Sequence, residues 1–158
     1  MKSRFTAFLL IMVACSGFVP GHAADSATEP RVIKIRAGVE NAMKFDVTAI
    51  TAAPGELLTV VLTNAGTLPK EAMGHNWILL AAGTDPVKFA QDAQPEGANG
   101  YIPTKAKNKM LAFVRLLGPG ESGEVTFQAP EKPGEYPFLC SFPAHCFVGM
   151  KGMLVVKK

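Results

Sequence analysis

Short segments rich in β-branched residues recur along this chain at intervals too even to leave room for long helices. Residues 31–36, 44–50, 56–63, 76–80, 110–117, 123–128, 135–140 and 153–157 each read as a strand. Turn residues separate them, as in Ala53-Pro54-Gly55, Gly118-Pro119-Gly120 and Pro130-Glu131-Lys132-Pro133-Gly134. The chain's 15 glycines and 12 prolines fall mainly in such clusters. Eight strands at this spacing predict an all-β fold, an eight-stranded Greek-key sandwich of two sheets. One stretch breaks the rhythm. Asp85 followed by Pro86, with apolar Val87, Phe89 and Ala90, carries a helix-start signature and predicts a short helix inside an insertion reaching to about Asn108.

The first residues follow a different logic. Lys2 and Arg4 precede an apolar run over residues 5–14, and small residues follow at Gly21, Ala23 and Ala24. This is the pattern of a secretory signal, expected to be removed over residues 1–23. The run is shorter than the ~20 residues that a spanning helix needs. Met12-Val13-Ala14-Cys15 resembles a bacterial lipoprotein cleavage site, which makes a membrane-anchored lipoprotein through Cys15 the alternative. What remains, residues 24–158, is expected to form one domain. Its 14 basic residues (16 less Lys2 and Arg4) nearly balance 13 acidic ones. With no basic block, nucleic acid is not an expected partner.

The chemistry sits in one loop. Cys140-Ser141-Phe142-Pro143-Ala144-His145 and, after four intervening residues, Met150 bring a thiol, an imidazole and a thioether between two strands. Soft thiolate and thioether donors beside imidazole nitrogen suit copper in a trigonal site with a weak axial sulfur. Magnesium and calcium would require oxygen ligands. A further donor must come from elsewhere, and beyond the signal the remaining histidine is His75, just ahead of a strand. Singly, each of these residues is ordinary core or surface. Their joint order and spacing are what one metal site requires.

Met73-Gly74-His75-Asn76-Trp77, with the Cys140 to His145 segment and Met150-Lys151-Gly152, resembles the copper motifs of azurin and auracyanin in the cupredoxin family. Met43-Lys44-Phe45, Leu68-Pro69-Lys70 and Gly120 to Phe127 extend that resemblance over most of the mature chain. It implies a type 1 blue copper electron carrier and not an enzyme. His75 and His145 would be nitrogen ligands, Cys140 the thiolate and Met150 the axial thioether. Asn76, Ser141 and Phe142 would surround and steady them. The resemblance further implies that the His145 ring edge reaches the surface in an apolar docking patch of Met43, Met73, Phe142, Pro143 and Ala144. Partners would be c-type cytochromes or membrane-linked oxidoreductases, met by a periplasmic monomer.

Azurin has one residue fewer between the loop histidine and the methionine. The longer loop is expected to bring Met150 closer and to shift the ion away from the Gly74 carbonyl, so that Gly74 would be at most a weak fifth contact. Azurin's N-terminal disulfide is also missing. Cys146 is the remaining cysteine of the mature chain. A bond from it to Cys140 would consume the thiolate, so it is expected as a free, half-buried thiol.

Overall fold

The protein is described by a computed structural model over residues 29–158. The expected signal segment and Cys15 lie outside these residues. Eight strands form two sheets. In the three-stranded sheet, β1 (Arg31–Ala37) runs parallel to β3 (Leu57–Asn64), and β3 pairs antiparallel with β6 (Ser122–Gln128). The five-stranded sheet has the order β2 (Ala49–Ala52), β8 (Lys151–Val156), β7 (Gly134–Leu139), β4 (His75–Leu80) and β5 (Met110–Leu117). This is the expected sandwich.

Alternation explains how the sheets close. Ile35, Leu58, Val60 and Leu62 on one sheet face Trp77, Leu79, Val114, Phe138 and Leu154 on the other. The Trp77 and Phe138 rings meet at 5.5 Å, and Phe45 adds a third ring 5.9 Å from Phe138. Gly152 lies directly across from Phe138 in the ladder. A Cβ there would collide with the Phe138 ring and with the Thr48 carbonyl, which is backbone and cannot yield. Gly152→Ala is therefore expected to destabilise the fold by roughly 2–3 kcal/mol. Urea unfolding of the metal-free protein checks this, and a loss under about 0.5 kcal/mol would refute it.

The segment 44–50 is strand only at its end, where β2 begins at Ala49. Before it, Phe45 makes a single bridge to Ala37. The Asp46 carboxylate accepts a hydrogen bond from the Arg36 amide (2.7 Å) while the Asp46 amide donates to Arg36 O (3.0 Å), so a side-chain bond takes one place in what would otherwise be a backbone ladder. A four-residue helix, α1 (Lys70–Met73), was not foreseen. The expected helix is present as α2 (Pro86–Asp92), capped by the Asp85 side chain, which accepts from the Val87 and Lys88 amides.

All six residues of β4 are buried. Trp77 and Leu79 enter the inter-sheet core, while Ile78 and Leu80 point to the opposite face. There α2 covers them with Phe89 and Ala90, forming a second apolar cluster that also contains Leu139 and Cys146. The insertion thus gives the five-stranded sheet a core on each side.

Candidate metal centre

At one end of the sandwich, the segment entering β4 meets the loop that follows β7. Gly74 ends α1 and hands the chain to β4, so that His75 is its first residue. Gly74 is buried, and a Cβ on it would strike the Lys70 carbonyl and the Leu116 side chain. Cys140 directly follows β7, and its amide donates to the Met150 carbonyl (3.1 Å). Between them the loop folds back on itself. The His145 amide donates to Phe142 O (3.1 Å), and the Met150 amide to His145 O (2.9 Å). Positive φ at Ala144 (68°) and Gly149 (112°) makes the two bends.

The donor atoms of His75, Cys140 and His145 lie within 4.8 Å of one another, all buried. Cys140 Sγ is 3.5 Å from His145 Nδ1, and the two imidazole rings are 4.9 Å apart. Met150 is wholly buried in the same loop. Both ring nitrogens of His75 are buried without a hydrogen-bond partner. A buried polar group left so is costly unless something binds it. Burial drives both imidazoles to about pH 4, with the neighbouring His75 also lowering His145. Burial pushes the Cys140 thiol up to about 12, against the opposing pull of the Asn76 and Phe142 amides. Without metal the pocket holds neutral, soft donors with no counter-charge, which fits a copper ion and not a salt-bridged pair.

Asn76 joins two of the loops. Its side chain donates to Ser141 Oγ (2.8 Å) and Gly100 O (3.0 Å), and accepts from the Ser141 amide (2.8 Å). Ser141 Oγ in turn donates to Tyr101 O (2.6 Å). Tyr101 is held at a φ of 62°, which only such fixed surroundings sustain.

A family profile described as "Copper binding proteins, plastocyanin/azurin family" matches residues 33–157. The chain belongs to this family. It is 34% identical to azurin from Pseudomonas fluorescens biotype A over 78% of its own length and 98% of that protein's. It is 32% identical to auracyanin-B of Chloroflexus aurantiacus over 82% of its length, and spans 53% of that relative. Among solved structures, the dithionite-reduced auracyanin of Roseiflexus castenholzii superposes with a TM-score of 0.71 at 34% identity, covering 80% of this chain and 97% of that one. Auracyanin A, a blue copper protein of Chloroflexus aurantiacus, gives a TM-score of 0.70 at 32% identity over 82% and 100% of the two chains. As a plastocyanin/azurin family member the protein is a blue copper electron carrier, not an enzyme.

Two expectations about the family's docking surface need correction. The His145 ring is 1% exposed, not open to solvent. Phe142 is buried too, packed between the tilted His145 ring (4.7 Å) and an edge-on Tyr101 (5.2 Å), because the insertion brings Tyr101 over it. Met43, Met73 and Pro143 are half-buried, and Ala144 is exposed. The sequence reading missed Phe147 and Val148, which are 77% and 54% exposed at the tip of the same loop. Two large apolar residues beside a glycine in a loop are the signal by which the sequence marks such an exposed tip. Cys146 is free but fully buried, its thiol 3.5 Å from Pro86 O, because α2 lies over it.

The depressed histidines predict acid sensitivity of the metal-free protein. Unfolded, each imidazole binds a proton below about pH 6.5, whereas folded it resists until about 4. As pH falls through that window the unfolded state takes up more protons, so stability falls. The two sites are coupled and together account for about 3–6 kcal/mol. Denaturant titrations between pH 7 and 5, above the main carboxylate range, should show the fall. A flat profile there would contradict it.

Proposed function

We propose that Cys140 Sγ, one ring nitrogen each of His75 and His145, and the Met150 thioether hold a single copper ion, through which the protein carries single electrons between redox proteins outside the cytoplasm. The observation that carries this reading is the convergence of two unpartnered His75 nitrogens with the His145 and Cys140 donors inside one buried pocket. Bound there, copper supplies a Cu(I)/Cu(II) one-electron couple. The Cys140 thiol gives up its proton on becoming a ligand, so loading releases acid. Asn76 and Ser141 hold the ligand loops in one arrangement, and Phe142 packs against the His145 ring. Small rearrangement between oxidation states makes transfer fast. The Gly74 carbonyl, one residue ahead of His75, is assigned a weak contact at most.

Ala144, Phe147 and Val148 give the ligand loop an exposed apolar tip, with Met43, Met73 and Pro143 half-buried. Such a face suits brief docking to a c-type cytochrome or a membrane-linked oxidoreductase. The amino-terminal sequence supports export to the periplasm, with lipid anchoring at Cys15 as the alternative route. No helix among the described residues is long and apolar enough to cross a membrane. The protein is read as a monomer.

Voltammetry of the copper-loaded protein tests the carrier reading. A reversible one-electron wave, with exchange to a soluble c-type cytochrome, is the expected result. Copper that leaves the protein on reduction would mark it as a copper-trafficking protein.

A further inference from the structure

The outer face of the five-stranded sheet is covered unevenly. Phe113 on β5 stands directly across from Ile78 on β4, so both side chains project to the same side. The insertion buries Ile78 and packs on Met110 at the start of the edge strand, but leaves the next outward-facing residues of that strand open. Leu111 and Phe113 are left 44% and 46% exposed. Together with Ile102, Met110, Lys107 and Arg115 they line an open groove of about 760 Å³.

Its charge has one sign. Among the described residues no carboxylate lines the groove. Lys105, Lys107 and Lys109 are exposed in the 3₁₀ segment Thr104–Lys109 that borders it, and none forms an ion pair among the described residues. Arg115, at the other border, is tied to Glu121 at 3.0 Å. An exposed apolar floor with a cationic border is the make-up of an interaction surface. The groove is also separate from the metal end, because β5 meets His75 at Leu117, roughly 13 Å along the strand from Phe113.

We propose that this groove docks an acidic protein partner, one that inserts an apolar side chain between Leu111 and Phe113 and sets carboxylates against Lys107 and its neighbours. A second copy of this chain fits poorly, since two-fold pairing would place the same lysines against each other. A flat bilayer fits poorly too, because the apolar residues line a concavity. The proposal goes beyond copper binding and does not depend on it.

The test uses a fluorescein-labelled synthetic peptide with a Leu-Phe pair flanked by glutamates, titrated with the copper-loaded full chain and followed by anisotropy. A control peptide carries glutamines instead. Saturable binding of the acidic peptide is expected, weakening at least about tenfold between roughly 20 and 300 mM salt. Phe113→Ser and Lys107→Glu should each weaken it by at least about tenfold, with the blue absorption intact as proof of folding. Val148→Ser, on the metal loop, should leave it unchanged, and metal-free protein should bind equally well. Equal binding of the control peptide, loss on Val148→Ser, or no saturable binding would overturn the proposal. So would tighter binding to phosphatidylglycerol vesicles, or self-association in sedimentation that Phe113→Ser abolishes.

Discussion

Replacing Cys140 by serine is expected to leave a folded protein that stays colourless with cupric ion, where the wild type turns intensely blue. The colour belongs to charge transfer from a thiolate sulfur to copper, and a hydroxyl at the same position cannot supply it. Serine is close to cysteine in size, so the core around residue 140 keeps its packing. The pocket loses its single anionic donor, and what remains is two imidazoles and a thioether. Copper affinity should fall by at least about hundredfold, beyond the ~10–100-fold that changes outside the ligands typically cause. Cys146→Ser is the matched control. That thiol is buried in the second cluster under α2, away from the converging donors, so its variant should remain blue. Spectra of the two variants after copper addition decide the matter. A blue Cys140→Ser protein, or a colourless Cys146→Ser protein, would reverse the ligand assignment.

Asn76→Ala is the second change of large expected effect. It removes three hydrogen bonds at once and leaves the buried Ser141 amide without its acceptor and Gly100 O without its donor. Each stranded group costs about 1–3 kcal/mol, so the fold should lose about 3–5 kcal/mol in all. The loss should also reach the copper, because Asn76 adjoins His75 and its bonds fix the residue after Cys140. A shifted absorption band and a ~10–100-fold weaker affinity are expected. Asn76→Asp separates the contributions, since it keeps an acceptor for the Ser141 amide but loses both donors. Denaturant unfolding together with the copper spectrum makes the measurement. A stability change under about 1 kcal/mol with an unaltered spectrum would remove Asn76 from this role.

The strands were legible because β-branched runs and Gly-Pro turns act locally, and the sandwich has few ways to arrange eight of them. The metal loop was legible for a similar reason, since Cys140, His145 and Met150 lie close in sequence. His75 needed one long-range step, which its scarcity supplied. What stayed hidden depended on contacts between distant segments. Phe142 looked like a docking residue because nothing near it in sequence shows that Tyr101 will pack on its ring. The burial of Cys146 needed α2 to be laid across it, and the loss of strand at 44–48 depended on where the Asp46 carboxylate would bond. Phe147 and Val148 were overlooked although their position at a loop tip was readable.

The two clusters flanking the five-stranded sheet bear on how the metal loop is held. Cys140, Phe142 and Met150 pack in one, while Cys146, next to His145 in the chain, packs in the other. The loop is therefore clamped like a hinge pin with a bearing at each end. Slack in the insertion would reach His145 through one peptide bond, even though no insertion residue is a ligand. The span 85–109 thus braces the loop that carries His145 from the side of the sheet opposite the inter-sheet core.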